Sequence, residues 1–142
     1  MYDHILIPTD GSDGALKAFE HALHLAEMYD STIHLIYVVE PIHTADVGTE
    51  QVLEAMRAEG ERSLGELADR ADSNGIGAVT EVRTGSPHRE ILEYADDEGI
   101  DLIVMGTHGR TGLNRYLLGS VTEKIVRISE TPVLTIRRDE AE

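Results

Sequence analysis

The sequence contains no cysteine, which removes disulfides, thiolate catalysis and cysteine-ligated zinc at once. No apolar run approaches the roughly 20 residues that a membrane-spanning helix needs. The N-terminus Met1-Tyr2-Asp3-His4 enters a short apolar stretch closed by Pro8, without the basic region that opens a secretory signal, so the expected compartment is the cytoplasm. Basic residues are scarce. Lys+Arg number 12 against 27 Asp+Glu, a formal net charge of −15, and only Lys17 and Lys124 are lysines. A small domain stays soluble with a charge of about 2–8 in magnitude. The excess repels nucleic acid and anionic lipid, which sets both aside as partners. It suits a very salty cytoplasm, where the Debye length falls to about 3 Å at 1 M salt, or simply a solvated acidic surface. Three motifs are also missing: GxxxxGK[ST], a GxGxxG after the first apolar run, and HExxH. Their absence argues against a P-loop NTPase, an ordinary dinucleotide domain and an HExxH zinc site.

What is present fits one domain over residues 1–142 with one core, since the chain is 41% hydrophobic. His4–Pro8 reads as a short strand, and Ala15, Leu16, Phe19, Ala22, Leu23 and Ala26 as one helical face capped by Ser12 or Asp13. Thr32–Val39 is almost wholly apolar, as a central parallel strand covered on both faces should be. A long helix runs from Glu50 to about Asp72, with Gly60 and Gly65 as points of weakness. Ala78–Arg83 alternates and reads as an edge strand; Ser86-Pro87 opens a third helix that stops at Gly99. Asp101–Met105 is the most buried-looking strand, Ser120 begins a last helix, and Thr131–Ile136 is a last strand with Pro132 at its start. The alternation predicts an α/β fold: an open, doubly wound, five-stranded parallel sheet of order 3-2-1-4-5 with helices on both faces. Its switch point lies between strands one and four, at Asp10 and Gly106.

The chemistry concentrates in the stretch from Gly106 to Ser120. Gly106 and Gly109 follow a buried strand, and Gly119-Ser120 delivers the chain into a helix whose orphan N–H groups and positive dipole end favour an anion. Ser120 and Thr122 add hydroxyls, while Arg110 and Arg115 supply charge, because the lysine nearest the loop, Lys124, already lies inside the helix. The plain alternative is a turn in which Ser120 serves as N-cap and Glu123 completes a capping box. Asp10 repels phosphate unless a cation intervenes. It therefore accepts from ribose hydroxyls or an adenine edge, helps hold Mg²⁺, or merely forms an Asx-turn. Val38 and Val39 end strand two as a flat apolar wall with backbone groups for a purine, or as ordinary core. Of the histidines, His21 and His24 read as surface, His34 as a satisfied core residue, and His43 and His88 as connection residues. His108 alone sits in the glycine-rich loop. Only His108 and Glu123 are near enough to act as a general base, so binding is favoured over fast turnover.

With Gly106, Gly109, Gly119 and Ser120 in the pattern G-x2-G-x9-G-[ST], within VMGTHGRTGLNRYLLGSVTEKIV, and with ILIPTDGS and TPVLTIR at its two ends, the chain resembles the universal stress protein family, in its nucleotide-binding branch. The resemblance implies an ATP- or AMP-binding domain whose fifth strand pairs across a homodimer two-fold. It implies that Pro8, Thr9 and Asp10 lie by the adenosine and that Val38 meets adenine through its backbone. Gly106, Gly109, Gly119, Ser120, Val121 and Thr122 would then hold ribose and phosphates. The implied role is regulatory or protective under stress. Two alternatives stand beside it: a non-catalytic homodimer with a vestigial site, and a weak Mg²⁺-dependent ATPase.

Overall fold

Ile5, Leu6 and Ile7 are all completely buried, although successive side chains of a strand point to opposite faces of its sheet. Both faces of this strand must therefore be covered. The computed structural model describes residues 1–41, 49–107 and 119–137, and in it β1 (His4–Pro8) lies at the centre of a parallel five-stranded sheet of order β3-β2-β1-β4-β5. The other elements are α1 (Asp13–Tyr29), β2 (Thr32–Val39), α2 (Thr49–Ser73), β3 (Ala78–Thr84), α3 (Pro87–Asp97), β4 (Leu102–Gly106), α4 (Ser120–Ile128) and β5 (Val133–Ile136). This is the expected α/β architecture and strand order.

The two faces carry separate cores. Ile5, Ile7, Ile33, Leu35 and Val104 pack under Ala18, Phe19 and Ala22 of α1 and Leu64, Leu67 and Ala71 of α2. On the opposite face Leu6, Ile36, Ile103 and Met105 meet Ile91, Tyr94 and Ala95 of α3 and Ile125 of α4. Small alanines on α1 let that helix approach the sheet closely. Its start is fixed by Ser12, whose hydroxyl accepts from the Ala15 N–H at 3.2 Å. Its end is fixed by Asp30, which adopts the left-handed conformation at φ 55°. Ser86 and Pro87 open α3 as expected. The predicted weakness of α2 at its glycines is not realised: the helix runs unbroken from Thr49 to Ser73. β3 is the edge strand that its polar alternation predicts.

One polar chain crosses the α3 face of the sheet at the end remote from the switch point. His34, buried in β2, places Nδ1 2.7 Å from the Tyr94 hydroxyl and Nε2 3.0 Å from His4 Nδ1. Burial and the negative charges of Glu98 and Glu81 push the Tyr94 phenol up to about 12, against the opposing charge of Arg83. The phenol therefore keeps its proton and donates it to His34 Nδ1. Nε2–H then donates to His4 Nδ1, so both ring nitrogens of His34 are satisfied. Burial first, then the neighbouring His4, lowers the His34 pKa below its ordinary value, with Glu98 opposing. Because the folded protein resists protonation that the unfolded chain accepts, the stabilising effect is complete above the unfolded pKa of about 6.5 and is lost as pH falls below it. Urea midpoints of the wild type should fall between pH 7 and pH 5 more steeply than those of a His34→Gln variant. Parallel curves would show that His34 carries none of the dependence.

Candidate functional site

The chain leaves β1 through a ladder of three side-chain oxygens. Thr9 Oγ1 accepts from Gly11 N–H at 3.2 Å, Asp10 Oδ1 from Ser12 N–H at 2.9 Å, and Ser12 Oγ from Ala15 N–H. Gly11, at φ +82°, supplies the left-handed residue that this turn needs. Thr9 N–H still bonds Ile36 C=O at 2.9 Å, so the turn is held against β2. Asp10 thus makes the Asx-turn and also stands at the switch point.

β4 ends beside it. A Cβ on Gly106 would lie 2.7 Å from the Gly14 carbonyl oxygen and 2.9 Å from its carbon, so glycine is required here by the approach of α1. On the other side the buried Thr122 donates its hydroxyl proton to the Gly106 carbonyl at 2.9 Å. Thr107 N–H bonds Ile136 C=O at 3.0 Å, and Gly119 N–H bonds Thr107 C=O at 2.6 Å. The chain therefore departs after Thr107 and returns at Gly119 from two positions tied to each other.

The return corrects one expectation. Gly119, in extended conformation, is the N-cap of α4, and Glu123 N–H bonds its carbonyl at 2.9 Å. Ser120 is the first helical residue, exposed, and makes no capping bond. The Glu123 carboxylate pairs with Arg127 at 3.1 Å one turn along, so there is no Ser120–Glu123 capping box. The sequence pattern misleads by one residue because glycine serves as N-cap nearly as well as serine. The consequence is chemical. The N–H groups of Ser120, Val121 and Thr122 precede the first intrahelical bond, and the Ser120 hydroxyl stands with them at the positive end of the helix.

Between these two turns lies a cavity of about 380 Å³ over the carboxyl ends of β1, β2 and β4, at the low end of ligand-pocket volumes, which run from about 300 to 1,000 Å³. Pro8, Thr9, Asp10, Val38, Gly106, Gly119, Ser120, Val121 and Thr122 all border it. The predicted Gly109 and Arg110, like His108 and Arg115, lie outside the described residues. Among the described lining residues the charged side chains are Asp10 and Glu40, and no described cluster has the ligands to hold a metal by itself. His21 and His24 are exposed on α1, His34 is in the core, and His88 faces Ser86; none of them lines the cavity. Sequence reasoning missed Met56 of α2 and Pro87 and Ile91 of α3, which reach the cavity from opposite layers. Helical periodicity marks such residues only as core-facing.

Replacing Thr122 by valine keeps the shape but leaves the Gly106 carbonyl without its donor. The expected loss is about 1–3 kcal/mol in urea denaturation. A change below about 0.5 kcal/mol would mean that the bond does not hold α4 to the sheet.

Over residues 1–137 the chain matches the sequence profile described as the universal stress protein family. It is similar to universal stress protein MJ0531 of Methanocaldococcus jannaschii, at 39% identity covering 100% of this chain and 86% of that protein. Its fold matches the solved structure of MJ0577 from the same organism with a TM-score of 0.91 and 31% identity, covering 99% of each chain. A universal stress protein crystallised in complex with cAMP is similar at a TM-score of 0.75 and 26% identity, covering 95% of this chain and 97% of that one.

Proposed function

The chain belongs to the universal stress protein family, and from that premise we propose that the switch-point cavity binds an adenine nucleotide, the protein acting by holding it rather than by spending it. One observation carries the reading. A single cavity joins a flat apolar wall at Val38 and Ile36 to the unpaired N–H groups that open α4. The wall suits a base, and the helix start suits phosphate. In this reading Pro8, Thr9 and Asp10 flank the adenosine, and the backbone of Val38 reads the adenine edge. Gly106, Gly119, Ser120, Val121 and Thr122 hold ribose and phosphates, with Gly109 and Arg110 contributing from the intervening loop. The hydroxyl proton of Thr122 is already given to Gly106, so its contribution is its N–H. Mg²⁺ would arrive on the phosphates with most of its waters, its charge offsetting Asp10. The relative crystallised with cAMP supports the same ligand class.

Of the two candidate bases, His108 and Glu123, the described one supports binding without efficient turnover. Hydrolysis needs a base at an attacking water, and the carboxylate of Glu123 is turned to Arg127. The role that suits such a protein is a nucleotide-responsive stress or signalling function in the cytoplasm. Mass spectrometry of small molecules released on denaturation should find ATP, ADP or AMP. Ser120→Asp puts a negative charge where phosphate would sit. It should favour α4 by about 0.3–1 kcal/mol through the helix dipole yet weaken ATP by about tenfold or more in calorimetry. Unchanged ATP affinity in that variant would remove the phosphate from α4.

A second element of the proposal is a homodimer through β5. Ile103 N–H bonds Pro132 C=O and Thr107 N–H bonds Ile136 C=O. Backbone groups alternate sides along a strand, so Val133 and Thr135 turn theirs away from β4, to the outer edge of the sheet. That edge is apolar, and Val126 and Ile128 are exposed on the neighbouring α4. An apolar open edge is a template for pairing, and a second copy is the partner that its pattern suits. Thr135→Pro removes one outward N–H and spares the β4 ladder. In sedimentation it should convert a dimer to a monomer that still binds ATP, and a dimer that survives it would place the interface elsewhere.

A further inference from the structure

Gly60 lies inside a helix, where glycine is disfavoured relative to alanine, and α2 nonetheless passes through it unbroken. It is buried. A Cβ placed on it would lie 2.6 Å from Cδ1, 2.9 Å from Cγ and 3.1 Å from Cε1 of Tyr37. The other glycine of the helix, Gly65, is exposed and would meet nothing within 4 Å. The space of the missing methyl at position 60 is thus filled by one aromatic ring. Tyr37 borders the cavity, and so does Met56, one turn before Gly60 on the same helical face.

We propose that Gly60 is a specificity-determining position of the nucleotide site: by letting the Tyr37 ring lie against the α2 backbone, it sets the width of the cavity beside Val38 and admits a purine there. The inference rests on the nucleotide reading above. Its physics is steric. Contact reaches Cγ, so the ring cannot escape by turning its far end and must pivot as a whole. On its inner side Tyr37 belongs to the close-packed core with Val39 and Leu64, where added volume is not accommodated. The cavity is the unfilled space beside it. A methyl at position 60 therefore drives the ring toward the base.

Calorimetry with ATP and CTP on the wild type and four variants tests this. Gly60→Ala should lose ATP affinity by about tenfold or more, the scale set by one methyl in a fitted pocket, while the smaller base of CTP loses less. The ATP:CTP ratio falls as a result. Adding Tyr37→Leu to that variant should restore ATP binding, and Gly65→Ala should bind as wild type. Tyr37→Leu alone, with a wider cavity, should gain affinity for N6-benzyl-ATP, which keeps the proposal testable if Gly60→Ala does not fold. Wild-type ATP affinity in Gly60→Ala, loss of ATP and CTP alike without rescue, or no gain for N6-benzyl-ATP in Tyr37→Leu would each overturn it. A wild-type protein that binds ATP while any of these holds leaves the nucleotide reading standing; a wild type that binds no nucleotide overturns both.

Discussion

The site depends on a contact between two stretches of backbone. Gly106 ends β4 against the carbonyl of Gly14, where a single Cβ would collide. Because that approach is allowed, the first turn of α1 settles over the ends of β1 and β4 rather than standing off by a side chain. The Gly106 carbonyl, on its other side, accepts the buried hydroxyl of Thr122. One residue without a side chain therefore joins α1, β4 and the start of α4. The cavity is what remains between those three elements and the end of β2.

That arrangement also lets an acidic protein carry N–H groups suited to an anion. With a net charge of −15, the long-range field opposes any phosphate. The groups that α4 brings to the cavity are N–H dipoles fixed by the helix and independent of titration. Salt that screens the distant carboxylates leaves such short contacts largely intact. A strongly acidic surface and a phosphate-suited helix start are thus compatible, and a saline interior would favour the combination.

Much of the fold was legible because its signals are local. The strand runs, the Ser12 and Ser86 starts and the Gly99 stop are consequences of backbone preference, and the structure keeps them. The assignment of His34 to a satisfied interior was legible too, since a histidine within TIHLIYVV is exposed on neither face. Two local inferences failed for the same reason. Ser120 has the right neighbours for a cap, but Gly119 takes that role because Thr107 holds its N–H. Gly60 looks like a weak point of α2 and is instead the seat of Tyr37.

By itself the sequence determined the elements and, through the crossover rules, pointed to an order in the sheet that brings Asp10 and Gly106 to one crevice. Those properties follow from periodicity, turn chemistry and the handedness of parallel crossovers, which act over a few residues or one connection. Only the tertiary structure decided what each glycine is for, which donors stay unpaired, and that Met56, Tyr37 and Ile91 share a cavity from both layers. Those depend on distances between segments far apart in the chain, and no local preference encodes them.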